Sequence, residues 1–487
     1  MGQEAALELE PLVDRERELA ELRALAARKR PQLAVLYGRR RVGKTYLLSH
    51  AFQHHRAFYF VAADATGAFN RAELLSQLQR ELQPDLTPAD YPTWRSVFRL
   101  FVTLAAEQPL VVILDEFQYL LNDDAIASQL IAVWDREVGG RQLTLVLSGS
   151  SISTMESLMA NNAPLFGRVT WAAKLSAFDY VDAASMVADR GPVEKALCYG
   201  MFGGIPRYLA AIPAGEALDD VAVRTIVSPH GEVSLQLQTL IEQERGIRAS
   251  GTFRAVLAVV AEGKCVLNEI AQAAGVPNDN ALKRTLSILE ELELVRREQL
   301  FEAPANAPYR YRCSDQAVGF WYRMVQPYRS RLETDDAHAV WRERIQPFLN
   351  DYMGHVFETI CRQGFARHYR RWRLRAPKRV GRWEGRDRNR RSIEVDFVAR
   401  LDGGKVVTGE VKWSNEPVTA TVHNALQRDL EDLAASGQQW AREALDPNTS
   451  GGRIYFSKAG FADSMRRVAK EDKSVRLVDL DELYAAA

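Results

Sequence analysis

The chain changes its hydrophobic period several times. In the first third, short unbroken apolar runs (QLAVLY, PLVVIL, LTLVL) alternate with longer helix-permissive stretches. Runs that are apolar at every position predict strands buried on both faces of a parallel sheet. QLAVLYGRRRVGKTYLLSHAF therefore reads as strand, loop and helix. Farther on the period is helical. Leu267, Ile270 and Ala271 share one face, Gly275 makes a turn, and Leu282, Leu286, Leu289 and Leu292 stripe a second helix, the spacing of a helix-turn-helix unit. LVRREQLFEAPANAPYRYRCSD then reads as two strands flanking a proline-containing wing, and the aromatics Phe320, Trp321, Tyr322 and Tyr328 read as core. In SIEVDFVARLDGGKVVTGEVKWS the period falls to two. Ile393, Val395, Phe397 and Ala399 form one face, with Glu394, Asp396 and Val398 on the other. The next strand repeats this, with Val407, Gly409, Val411 and Trp413 opposite Val406, Thr408, Glu410 and Lys412.

Length and composition set outer limits. A chain of 487 residues is too long for one core and predicts three domains of ordinary size. Sixty-three basic residues balance 63 acidic ones, which excludes a uniformly basic nucleic-acid coat and requires any such surface to be local. Cys198, Cys265, Cys313 and Cys361 are scattered and form no CxxC pair, so neither a zinc site nor a disulfide framework is expected. The opening MGQEAALELEPL lacks a basic-then-apolar leader, and the apolar runs are too short to span a bilayer; a cytoplasmic protein without membrane contact is expected.

The first candidate chemistry lies in GRRRVGKT, which matches GxxxxGK[ST]. Gly38 and Gly43 let backbone N–H groups wrap phosphates, Lys44 reaches the outer ones and the Thr45 hydroxyl ligates magnesium. Arg41, Val42 and Tyr46 complete the expected nucleotide-binding stretch. The run PLVVILDEFQYL ends in Asp115 and Glu116. Asp115 is then the magnesium-side carboxylate, and Glu116 orients or deprotonates the attacking water. LTLVLSGSS ends in Ser148 to Ser151, and the Ser148 hydroxyl is the candidate sensor of the terminal phosphate. ATP and Mg²⁺ are the expected cofactors.

The second candidate lies in the paired strands near the C-terminus. If residues 401 to 405 form the hairpin loop, Asp396 and Glu410 stand directly or diagonally opposite, within about 5 to 8 Å on one face. Like charges that close destabilise a sheet unless a cation lies between them. Hard carboxylate oxygens suit Mg²⁺ or Mn²⁺, and Lys412 faces the same ion and any phosphate bound to it. The other reading is a solvent face with ordinary Glu–Lys pairs. Just upstream, about a dozen Arg and Lys between Arg362 and Arg391 face two acids, interleaved with Tyr369, Trp372 and Trp383. Such a segment can track a phosphate backbone and stack on bases.

These stretches together carry a family resemblance. LVDRERELAEL, GRRRVGKT, ILDEFQYL, LSGSSISTME, PLFGR and GGIPRYL occur in the order seen in archaeal-type ATPases of the STAND class, relatives of AAA+ proteins. The resemblance implies that residues 13 to 19 help hold the adenine, that Arg168 polarises the terminal phosphate, and that Pro206 sits in a helical lid near the nucleotide. It also implies that the winged helix is an interdomain spacer. Against that stands a groove-reading role, with Asn280, Lys283 and Arg284 on the exposed side of the second helix, although Glu290, Glu291 and Glu293 at its end repel phosphates. The acid, spacer and Glu-x-Lys of the C-terminal hairpin resemble the PD-(D/E)XK nuclease pattern. The stretch from Leu349 to Leu483 is similar to the restriction-endonuclease-like domain that follows such ATPases, and Glu358 matches the additional metal-binding acid of that family. Two features depart from the pattern: Glu394 and Val395 precede the Asp, and the glutamine-tyrosine helix motif of some relatives is absent.

The expected architecture is α/β throughout: a P-loop NTPase domain with helical lid over residues 1–221, a winged-helix domain over 222–335, and a restriction-endonuclease-like domain over 336–487. The expected function is an ATP-hydrolysing switch or motor coupled to a metal-dependent nuclease, with DNA the first candidate partner and self-association left open. The alternative is a STAND-class regulator whose distal domains bind DNA or protein without cleaving.

Overall fold

The computed structural model describes residues 12–122, 125–240, 250–304 and 306–485, with backbone alone at position 250. By compactness the chain divides into two units, Met1–Ala177 and Phe178–Ala487. The expected boundary at 221/222 lies inside the second unit.

The first unit is built on five parallel strands, β1 (Gln32–Tyr37), β2 (Ala57–Val61), β3 (Leu110–Asp115), β4 (Leu143–Gly149) and β5 (Trp171–Lys174), in the order β2-β3-β4-β1-β5. Every residue of β3 and β4 is buried, because helices cover both faces, and this is why their sequences do not alternate. Phe58, Phe98, Phe101, Val112 and Leu145 anchor the shared core. Helix Trp94–Glu107 is opened by a reciprocal cap between Thr93 and Ser96 and buries Val97, Phe98, Phe101 and Leu104 along one stripe. The carboxyl ends of β1, β3 and β4 lie side by side, the usual place for a ligand in an open parallel sheet.

The second unit begins with short helices, including Pro192–Phe202. Helices Ser250–Ala261, Leu267–Ala274 and Asn280–Glu291 follow, then an antiparallel ribbon of β6 (Val295–Glu298) and β7 (Arg310–Cys313). Gly275, in the left-handed conformation, ends one helix, and the Asp279 carboxylate caps the next. Ile270, Leu282, Leu286 and Leu289 are buried as their spacing predicts, as are Phe320, Trp321 and Tyr322. Helix Leu349–His368 then leads into a mixed sheet of β8 (Pro377–Arg386), β9 (Ser392–Leu401), β10 (Val406–Lys412), β11 (Ser450–Ser457) and β12 (Val475–Asp479), ordered β12-β11-β10-β9-β8. Strands β8, β9 and β10 run antiparallel, while β10, β11 and β12 run parallel.

Two packing features change the sequence picture. Phe301, in the loop between β6 and β7, is inserted into the core of the C-terminal sheet, edge-on to Trp440, and its backbone N–H donates to Arg382 O at 2.9 Å. The ribbon loop is thus fastened to the sheet edge at β8. Second, the acid-bearing face of the hairpin is not simply a solvent face: Val398, Val406 and Thr408 on it are buried.

Candidate functional site

The phosphate loop runs from the end of β1 into helix Lys44–Phe52. Gly38 has φ +151° and a side chain there would meet Leu175 O at 2.1 Å, so only glycine fits. Gly43, with φ +94°, turns the chain into the helix. Val42 is buried, Arg41 adopts a positive φ, and the Tyr46 ring lies 4.3 Å from that of His50 one turn on. Buried Lys44 reaches back over the loop, Nζ donating to Gly38 O at 2.8 Å and Arg39 O at 2.9 Å.

Asp115 collects the donors around it. Thr45 Oγ1 donates to its Oδ2 at 3.0 Å, Tyr59 OH to the same oxygen at 2.5 Å, and Glu116 N to Oδ1 at 2.9 Å. Burial and the Asp115 charge raise the Tyr59 hydroxyl well above the ordinary tyrosine range, so it stays a donor. Glu116 takes φ +53°, and its carboxylate accepts from Ser150 Oγ at 2.7 Å and from the Gln118 amide. Gln118 also donates to Ser150 Oγ at 3.0 Å.

Ser148 is wholly buried within β4, paired in register with Leu36, and its hydroxyl has no hydrogen-bond partner among the described residues. The hydroxyl delivered to Glu116 is that of Ser150, just past the strand end where the chain leaves the sheet. Tyr59 and Gln118 were also missed. Neither belongs to a short motif, and the one available signal was the polar run continuing past Ser148. Arg168 is held by Asp135, with Nη2 to Oδ2 2.7 Å, and also donates to the carbonyls of Pro164 and Phe166. Residues 13–19 lead into helix Glu16–Ala26, with Asp14 and Arg15 at positive φ. Pro206 opens the short helix Pro206–Leu209, within the second unit.

The C-terminal hairpin turns at residues 402–405, closed by Leu401 N to Lys405 O at 2.8 Å. Its ladder pairs Phe397 with Gly409; beyond that, the Asp396 side chain replaces a backbone acceptor, Oδ2 taking the Val411 N–H at 3.1 Å. Lys412 Nζ donates to Asp396 Oδ2 at 3.0 Å and Glu410 Oε2 at 2.5 Å. Burial first, then the Asp396 charge, pushes the Glu410 carboxyl up to about 8 against the pull of Lys412. The two acids outweigh burial at Lys412, whose ammonium is held above its usual range. Asp396, Glu410 and Lys412 are therefore one coupled cluster.

Glu358 lies on the preceding helix Leu349–His368. Among the described residues no three His, Cys, Asp or Glu side chains are arranged to hold a metal. Glu358 instead pairs with Arg362 at 2.5 Å. Burial opposes its ionisation, but His355, Arg362, Arg382 and Arg312 overcome this and bring its carboxyl down to about 2. Several arginines of the basic segment enter ion pairs within the second unit. Arg382 pairs with Glu384 and Glu394 at 2.8 and 2.9 Å, Arg391 with Asp429 and Asp432 at 2.7 and 2.8 Å, and Arg367 with Asp179 and Asp182. Trp372 and Trp383 are buried. Much of this segment holds the second unit together.

With this geometry in view, the comparisons fall into place. Residues 12–212 match an ATPase domain predominantly from Archaea. Residues 321–425 match a second family, described as archaeal and bacterial proteins of unknown function. The chain is 24% identical over 409 residues to the uncharacterized protein MJECL04 of Methanocaldococcus jannaschii, covering 83% of this chain and 88% of that one. Among solved structures it is similar to the Walker-type ATPase paby2304 of Pyrococcus abyssi, with a TM-score of 0.50 and 19% identity, over 64% of this chain and 96% of the other. The ORC2 protein of Aeropyrum pernix, solved in ADPNP–ADP complexes, aligns with a TM-score of 0.47 and 15% identity over 67% and 96% of the two chains. The ATPase domain thus accounts for the parallel sheet and its loop. No described helix is long and apolar enough to cross a membrane.

Proposed function

We propose that the chain is an ATP-hydrolysing switch that governs a metal-dependent nuclease acting on DNA. In the ATPase domain, Lys44 is the cation for the outer phosphates, and Thr45 and Asp115, already 3.0 Å apart, are the residues that would hold Mg²⁺. Glu116 orients the attacking water, with Ser150 and Gln118 fixing its carboxylate. Arg168 reaches a terminal phosphate by exchanging Asp135 for it, and the segment around Pro206 is its lid. Residues 250–313 act as a winged helix used for packing, a reading supported by the anchoring of Phe301 in the sheet core.

The observation that carries the nuclease reading is the sharing of Lys412 between Asp396 and Glu410. Two carboxylates crowded enough to push Glu410 up to about 8 fit a divalent cation, and Mg²⁺ commonly takes only one or two protein carboxylates and keeps waters elsewhere. Asp396 and Glu410 would hold it, and when bound it supplies Lewis-acid polarisation of a phosphodiester. Lys412, released from the acids by that charge, turns its ammonium toward the phosphate and stabilises developing negative charge. The test is cleavage of single-stranded, duplex and branched DNA by the full chain with Mg²⁺ or Mn²⁺, with and without ATP. Cleavage that disappears in Asp396→Asn and Lys412→Ala supports the reading; no cleavage of any substrate by the wild type overturns it.

One observation favours a second reading, a regulator of the STAND class that binds DNA or protein without cutting. Glu358 and, within the arginine segment, Arg362, Arg367, Arg382 and Arg391 are committed to internal ion pairs, which leaves fewer groups for a catalytic site.

A further inference from the structure

At the end of the C-terminal sheet opposite the acid pair, where β9 turns into β10 and β11 and β12 begin, lies a cavity of about 880 Å³. That volume falls within the range of about 300 to 1,000 Å³ usual for small-molecule sites. Arg373, Arg375, Lys405, Arg453 and Arg476 line it against two acids, Asp402 and Asp472. Asp402 pairs with Lys378 at 3.1 Å and feels Arg375, while Asp472 accepts the Ser474 N–H at 2.8 Å and feels Arg453, so five cations face two acids and a net positive charge remains. Arg373, Arg375 and Lys405 are exposed and enter no salt bridge among the described residues.

The wall is built, not incidental. The Arg375 guanidinium packs over Gly403, where a side chain would come within 3.2 Å of Nη1, and Gly403 has φ +89°. Asp402 N donates to Ala376 O at 2.7 Å, tying the Arg375 segment to the hairpin turn. Arg476 is fixed by donating to Gly451 O and Ser474 O at 3.2 Å. Arg453 Nε is buried without a hydrogen-bond partner among the described residues, an unmet donor in a lining residue. Leu374, Leu445 and Pro447 add an apolar side.

From this we infer that the cavity binds a phosphate ester of nucleotide size, its phosphate against Arg373, Arg375 and Lys405 and its base or sugar against the apolar side. The seven residues of extended chain from Lys405 to Lys412 span about 23 Å, so the ligand does not overlap the acid pair. It is a second site on the same sheet, suited to a free nucleotide or to the phosphorylated end of a strand.

Calorimetric titration of the full chain with 5′-phosphorylated dithymidine tests this, beside unphosphorylated dithymidine and a 5′-phosphorylated 20-nucleotide strand. Expected are binding that needs the 5′-phosphate, a loss of about tenfold or more in Arg375→Glu/Lys405→Glu, and an intermediate loss in Lys405→Gln. ADP binding at the phosphate loop should be unchanged in all variants, which reports correct folding. Asp396→Asn should bind the dinucleotide as the wild type does. Competition by the 20-nucleotide strand marks the ligand as nucleic acid, and its absence marks a free nucleotide. No binding of the phosphorylated dinucleotide at millimolar concentration, or affinity insensitive to both charge changes, overturns the proposal. Loss in Asp396→Asn alone assigns the binding to the acid pair and also overturns it.

Discussion

Ser150 Oγ donates to Glu116 Oε2 at 2.7 Å, and the Gln118 amide reaches the same oxygen. The Glu116 carboxylate is thereby held by two neutral side chains. Ser150→Ala should lower phosphate release about tenfold while leaving ATP affinity within about twofold, because aim and not charge is lost. Glu116→Gln should bind ATP and fail to turn it over, whereas Lys44→Ala should lose most binding. Nucleotide titration beside a phosphate-release assay separates the three, and normal turnover in Glu116→Gln would remove the assignment of the base.

Phe301 fills the junction between the ribbon loop and the sheet core beside Trp440. Phe301→Ala should destabilise the second unit by about 3 kcal/mol, the cost of a vacated aromatic site. If the helices before the ribbon serve packing, Lys283→Ala with Arg284→Ala should leave both the melt and DNA affinity nearly unchanged. Denaturant unfolding and a DNA titration in a salt series measure the two effects; lost discrimination among DNA sequences in the Lys283/Arg284 variant would favour groove reading.

Glu358 gives a pH prediction with a definite sign. Its folded carboxyl titrates near 2, below the ordinary 4.5 of an unfolded glutamate. The folded state therefore binds its proton less readily, and its contribution is complete above pH 4.5 and fades as pH falls toward 2. Glu358→Gln should cost about 3 kcal/mol at pH 7, since buried Arg362 loses its 2.5 Å partner and keeps the longer 3.8 Å pair with Glu298. The gap between the variant and wild-type melts should close across that acid window; a gap constant down to pH 3 would mean the ion pair is not its source.

Asp396 and Glu410 should respond to metal as a pair. Without metal, Asp396→Asn relieves the crowding at Glu410 but gives up one Lys412 bond, so its stability should stay within about 1 kcal/mol of wild type. Added Mn²⁺ should raise the wild-type melting temperature and leave that of Asp396→Asn unmoved. Equal stabilisation of both proteins, with any cleavage unaffected, would sink the metal-site reading.

What the sequence by itself determined lies within short spans of chain. GRRRVGKT announced a loop whose glycines have the backbone angles it requires, and unbroken apolar runs announced strands ending at Asp115 and beside the serines. A five-residue turn and period-two alternation placed Asp396 and Glu410 together, because hairpin register follows from loop length. Tertiary structure decided what pairs across long spans. Arg367 meets Asp179 and Asp182 more than 180 positions away, and Arg362 meets Glu298 of the ribbon as well as Glu358 one helical turn before it. The arginine run looked like a phosphate track because its partners are scattered through distant elements. That Ser150 and not Ser148 meets Glu116 follows from where β4 ends, and no local period encodes that. Local spacing governs backbone geometry and nearest-neighbour register, whereas the burial and charge balance of a long polar side chain depend on which distant elements the core brings against it.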